Sequence, residues 1–437
     1  MPGALTDIAS TPFLPLAQSQ PSIQNRFIMS KPISPSQTLS TQSPVSASQV
    51  DIRETIRRDL PNWLQPLLTQ IIAKPYVGEP TTERSALQEL IGAFSSVALG
   101  LTASTIGVLS GSAALPLIPL GWFLTLHGAH KLHLTLRHSC AHDAVFNRTW
   151  QNNLLGEFIS ILTLTIDYAR YKTRHLRDHH PPQGLLRPND GTYDALIPEL
   201  GLEPGASIQQ LRWHVWSRLL SPMFHAQQLL RRLKRCFYSS SRLHNLVAVG
   251  VWGTVIAITA LTQSWFPFLV SWVLPMTVPF NLLLTLRLLV EHRWPHPSLE
   301  NNRRSRQVQG RMTAAVFFAD PTPQLEPGAS RFERVCRWGL WWARFLLYHL
   351  PARALVLPGD APCHDYHHRH PASKNWPNAI FARQQDLDAG CPGWPEPYLE
   401  IWGLLAAMDA VLESLSQQPS KLTTEAVRPP SSLPCEG

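Results

Sequence analysis

The stretch "IGAFSSVALGLTASTIGVLSG", residues 91–111, has no charged side chain, and neither does the chain around it from Leu90 to His130. A second block, Leu243 to Leu286, is equally free of Asp, Glu, Lys and Arg. One crossing of a bilayer takes about 20 apolar residues, so each block of roughly 40 is long enough to cross twice. Each therefore reads as a helical hairpin. The first pairs residues 91–110 with 115–136 and turns near Gly111 to Pro116; the second pairs 245–263 with 266–288 and turns near Gln263 to Pro267. Uncharged stretches of this length are unusual in water-soluble folds. The expected fold is all-α, a four-span helical membrane bundle of two hairpins with a cytoplasmic helical cap.

The average composition hides this segregation: mean hydropathy over the 437 residues is −0.08 and the formal net charge is +8. The basic residues gather between Asp167 and Arg242, in runs such as "ARYKTRHLRD" and "LLRRLKRC", and avoid both short turns. The positive-inside rule then places that connection, and with it both termini, on the cytoplasmic side. Six scattered cysteines without a C-x-x-C pair argue against a zinc ribbon or a disulfide scaffold and fit a reducing face. The start "MPGALTDIASTPFLPLAQ" lacks the basic region of a cleavable secretory signal. Residues 1–50 are rich in Ser, Pro, Gln and Thr and are expected to be disordered, as is the tail "QQPSKLTTEAVRPPSSLPCEG". Between them the chain divides into a pre-membrane segment (51–85), a membrane domain (86–385) and a C-terminal helix leading into the tail (386–437).

Histidines mark the chemistry. "RHSCAHDAVFN" sets His138 and His142 four residues apart where the second span would emerge, and residues at i and i+4 share a helix face. "RHLRDHHPP" brings His175, His179 and His180, with Pro181 and Pro182 stopping the helix directly after them. "CHDYHHRHP" repeats the device with His364, His367 and His368, and His292 ends the fourth span in "LRLLVEHRW". These nine imidazoles exceed the four ligands of a tetrahedral zinc and suit two metals of higher coordination, with a position left for substrate or oxygen. Ligand chemistry alone leaves iron, copper, nickel and zinc open.

The set HxxxH (His138, His142), HxxxHH (His175, His179, His180) and HxxHH (His364, His367, His368), interleaved with two hydrophobic hairpins over residues 85–385, resembles the integral-membrane fatty acid desaturase and hydroxylase superfamily. "NRTWQNNLLGE" after the first box also resembles the family's continuation. The resemblance implies a di-iron centre held by the three boxes and His292, dioxygen as co-substrate, and attack on an unactivated C–H bond of a lipid acyl chain. Three features depart from the pattern. Ser139 stands where an Asp often follows the first histidine, Leu288 stands where animal acyl-CoA desaturases carry an asparagine beside an iron, and "RHPASKNWPNAIFARQ" replaces the usual hydrophobic continuation of the third box.

Carboxylates beside metal-bound imidazoles commonly accept the other ring N–H, which makes Asp178, Asp365, Asp143 and Glu291 candidates for that role. His127, His130 and His133 read as neutral packing residues of the second span, and His370 matches no ligand position. Residues 207–235 alternate apolar and basic side chains and suit either the anionic membrane surface, with Trp213 and Trp216 at the headgroups, or a cover over the cap. No nucleic-acid partner is expected. The chain has neither C-x-x-C pairs nor a G-x-G-x-x-G opening, so an oxidase of this kind would draw electrons from a separate donor. Ferredoxin is the first candidate and cytochrome b5 the second, steered by Arg231, Arg232, Lys234 and Arg235. The residues alone do not separate desaturation from hydroxylation of a lipid or a carotenoid; the resemblance implies desaturation first. A metal transporter or sensor is the rival of another class, disfavoured because its ligands would lie at mid-bilayer.

Overall fold

The structure, a computed structural model, describes residues 51–420; the expectations of disorder for residues 1–50 and for the tail from 421 onward lie outside it, whereas the start of that tail is packed, Gln418 being buried and donating to the Pro295 carbonyl at 2.9 Å. It is mostly helical, and four helices are long and apolar enough to cross a membrane: Ala86–Leu109, Ser112–Ala141, Arg242–Leu261 and Trp265–Glu291. The first opens on a capping box, Ser85 Oγ accepting from the Gln88 amide at 3.2 Å and Gln88 Oε1 from the Ser85 amide at 2.8 Å. It stops before Gly111, whose φ of 81° suits a residue without Cβ.

Two spans depart from regular α-helix. The second holds a π-helical turn at Leu132–Leu136 before resuming at Arg137–Ala141, and is 30 residues long. At 1.5 Å per residue that is about 45 Å, well over the roughly 30 Å of a hydrocarbon core, so the helix is longer than one crossing requires. The fourth contains a π-helical turn at Leu269–Val273, then Pro275, then a break at Thr277 before Val278–Glu291. A proline removes a helical donor and clashes with the preceding turn; hydropathy alone does not register such an interruption.

The first two spans touch backbone to backbone. A Cβ built on Gly121 would lie 2.5 Å from the Gly100 carbonyl oxygen and 2.6 Å from the Ser104 nitrogen, and one on Gly100 would lie 2.4 Å from the Thr125 nitrogen. Small residues permit this approach, the usual way apolar helices associate where no hydrophobic force separates lipid from protein. Gly121→Leu is expected to lower stability by about 1–3 kcal/mol through overpacking, whereas Gly250→Leu, which meets nothing within 4 Å, should be neutral. Thermal melting in detergent compares them, and equal melting temperatures would contradict this packing. The third span buries least of itself and exposes Leu243, Leu246 and Leu261.

Helices Ile208–Leu219 and Leu404–Ser416 pack on each other and extend one core over Val278–Glu291, through Leu211, Val215, Met408 and Leu412. Residues 207–235 form two helices, broken at Ser221–Pro222, with Trp213 outward and Leu211, Val215 and Leu219 inward. A second core joins Ile56, Leu68 and Ile72 of the pre-span segment to Phe317, Trp341 and Phe345. The all-α expectation needs one correction: Ala315–Phe317 pairs in parallel with Glu400–Trp402. The expected boundary at residue 385 falls inside helix Ala379–Asp388, and helix Leu404–Ser416 beyond it belongs to the same core.

Candidate metal centre

Four parts of the chain deliver the nine histidines. His138 rides on Arg137–Ala141 and His142 caps that helix; His175 and His179 lie in a π-helical turn capped by His180. His292 leaves the fourth span in extended conformation, with φ −133° and ψ 141°, and bridges to Thr313. His364, His367 and His368 share the short helix His364–Arg369.

Folding sorts them into two groups that can hold a metal ion, each with its ligand nitrogens within 4.8 Å of one another: His138, His142, His175, His180 and His367 in one, His179, His292, His364 and His368 in the other. The second and third boxes are therefore split between the groups. A π-helical turn, with its extra residue, aims His175 at one group and His179 at the other.

The nitrogens face one another in a way hydrogen bonding alone does not satisfy. Nε2 of His292, His364 and His368 form a closed triangle with edges of 3.0, 3.2 and 3.2 Å. A neutral ring nitrogen offers either one proton or one lone pair, so around a triangle at least one edge joins like atoms. A shared cation satisfies all three. In the other group Nε2 of His175 lies 3.0 Å from those of His142 and His180, and His180 is 3.1 Å from His367. His138 Nε2 is buried with no hydrogen-bond partner. Burial, and then the charge of neighbouring groups, holds His142 down at about 4 and keeps His175, His180, His292, His364, His367 and His368 far below the ordinary histidine range. Uncharged imidazoles are the form that binds metal. Each group fits an ion that accepts nitrogen ligands.

None of the four sequence-adjacent carboxylates bonds to a box histidine. Asp143 pairs with Lys172 at 2.9 Å, Asp178 with Arg177 at 2.8 Å, Glu291 with Arg287, and Asp365 with Arg383 at 3.0 Å. Consecutive residues on a helix do not share a face, so a side chain next to a ligand is aimed elsewhere. The partner that does appear is Asp190. Its Oδ1 accepts from His179 Nδ1 at 2.9 Å while its Oδ2 accepts from the Leu186 amide at 2.8 Å. Burial pushes the Asp190 pKa up, but His179 and the Leu186 and Thr192 amides outweigh it and hold the carboxyl below its usual range. It thereby fixes the ring so that Nε2 faces the group of four. Asp190→Asn is expected to weaken metal retention about 10–100-fold; metal titration against a chelator reads this, and unchanged retention would remove Asp190 from the site.

His127 and His130 bond through Nδ1 to the carbonyls of Ala354 and Leu355, and His133 lies near Arg137 and Thr163, so this trio packs the second span. His370 sits 3.2 Å from Asp386, outside both groups. Of the basic cluster expected at the surface, Arg232 is instead only 5 % exposed and turned inward, while Arg235 pairs with Glu199. A cavity of about 240 Å³ runs up to His175 and His179, with Leu284, Leu288 and Phe224 on its apolar side and Arg137, Arg232 and Arg287 on its polar side.

No protein-family model matches the chain, and no curated protein matches it.

Proposed function

We propose that the protein is a membrane-bound, oxygen-dependent di-iron desaturase that introduces a double bond into a lipid acyl chain. The observation that carries this reading is the gathering of nine imidazoles into groups of five and four, with His138, His142 and His292 at the ends of two membrane-length helices and the other six on short helices. In this reading the spans form two hairpins, and the histidines, the loop from Asp167 to Arg242 and both termini face the cytoplasm, where basic residues concentrate.

His138, His142, His175, His180 and His367 would hold one iron and His179, His292, His364 and His368 the other; iron held so supplies dioxygen reduction and removal of hydrogen from a methylene. The protein's own part is positioning. Asp190 holds the His179 ring, and the cavity beside His175 and His179 offers Leu284, Leu288 and Phe224 to an acyl chain. Four electrons reduce dioxygen to two waters; forming one double bond releases two, and a separate donor, ferredoxin or else cytochrome b5, delivers the other two. Hydroxylation of a lipid or a carotenoid is the alternative outcome of the same site.

Mass spectrometry of lipids from a host expressing the protein tests the reading. A product two mass units lighter than its parent lipid, absent with a His179→Ala chain, is expected. A product sixteen units heavier would replace desaturation with hydroxylation, and an unchanged lipid profile with an active donor present would overturn both.

A further inference from the structure

Five arginines line the cavity beside His175 and His179, and three are neutralised: Arg174 by Asp194, Arg235 by Glu199 and Arg287 by Glu291. Arg137 and Arg232 have no carboxylate within ion-pair distance among the described residues, although each is only 5 % exposed. Arg137 spends its terminal nitrogens on the hydroxyls of Ser160 and Thr165 and on His133, under the ring of Tyr171. Arg232 donates to the carbonyls of Met276 and Thr163 and to Asn281 Oδ1, against the ring of Phe280. In both, Nε is buried with no partner. A buried cation without a counter-charge is costly, and two on one cavity indicate a place kept for an anion. Guanidinium groups favour oxyanions, whose planar or tetrahedral oxygens match the spacing of their N–H donors.

The same cavity carries Leu196, Leu200, Phe224, Leu284 and Leu288 and ends on one histidine from each metal group. We propose that Arg137 and Arg232 bind the oxyanion headgroup, carboxylate or phosphate ester, of a single-chain lipid whose acyl part lies along these apolar residues. The proposal rests on the desaturase reading for its acyl chain and narrows the substrate class to anionic amphiphiles. Neutral lipids such as long-chain alcohols would leave both arginines uncompensated.

Calorimetric binding to the metal-loaded protein in nonionic detergent tests this with palmitate, hexadecyl phosphate, hexadecanol and inorganic phosphate as probes. At least one of the two anionic amphiphiles should bind about tenfold or more tightly than hexadecanol, since charge-assisted hydrogen bonds are about twice as strong as neutral ones, and the tighter of the two identifies the oxyanion. Arg232→Gln should erase that preference, but Arg232 also ties three chain segments together, so a second variant is needed. Gln228 lines the same cavity one helical turn before Arg232. Gln228→Glu sets a carboxylate at the favourable i,i+4 position, and should keep fold and metal content while losing the preference for anions. Hexadecanol binding as tightly as both anionic amphiphiles, or a preference unchanged in Gln228→Glu, would overturn the proposal; inorganic phosphate binding as tightly as palmitate would make the cavity a free-anion site and overturn it too. Because the readout is binding, the desaturase reading survives that failure and falls only on the lipid and iron analyses.

Discussion

The His179→Ala protein is expected to keep about one metal ion per chain and to lose turnover to background. His179 belongs to the smaller group, so its removal leaves three imidazoles, His292, His364 and His368, without the member that Asp190 anchors. Loss of a mere outer hydrogen-bond partner already costs about 10–100-fold in metal affinity or activity, and loss of the ligand itself should exceed that. His370→Ala is the control: it lies two residues past His368, yet it pairs with Asp386 and belongs to neither group. Its metal content and turnover should stay near those of the parent. Metal analysis and lipid product, measured on both variants, decide the matter; a His179→Ala chain with full metal and full turnover would break the assignment of the second group.

Arg383→Ala should be the most destabilising substitution away from the histidines. Arg383 and Asp365 are both 2 % exposed at the side chain and share two contacts of 3.2 and 3.0 Å. Arg383 also donates to Glu400 Oε1 at 3.1 Å, while Lys74 joins Glu400 to Asp51. One ionic chain thus connects the segment before the first span, the short parallel strand pair and the helix of the third box. Removing the guanidinium leaves the Asp365 carboxylate buried without a cation, at a cost of about 3–5 kcal/mol. Because Asp365 directly follows His364, metal should be lost together with thermal stability. Melting curves of the purified variant read the first and metal analysis the second, and a variant as stable as its parent would show that the pair adds nothing.

The histidine boxes were legible because their information is local. Spacings of three and four put His364, His367 and His368 on one face whatever the rest of the chain does, and His292 was legible because it ends a hydrophobic run. The four long apolar helices follow from composition for the same reason, apart from ends displaced by a few residues and the breaks at Leu132–Leu136 and Thr277. What the sequence withheld is tertiary. Asp190 lies eleven residues from His179, beyond three prolines, and only the return of the chain brings its carboxylate under the ring. Its cue was a turn-forming "NDG" with an acidic cap, which looks like any loop. Proximity in sequence pointed instead to Asp143, Asp178, Asp365 and Glu291, each of which has its own basic partner. "LLRRLKR" reads as a basic surface run, yet helical geometry turns Arg232 inward while leaving Lys234 and Arg235 outside. Two three-residue strands some eighty residues apart carry too little periodicity to announce a sheet.

Quantitative metal analysis of the purified protein in a preparation that still converts lipid tests the central claim most directly. About two irons per chain are expected, because the nine imidazoles divide into groups of five and four that can each hold an ion. An active preparation containing stoichiometric zinc and no iron would contradict it.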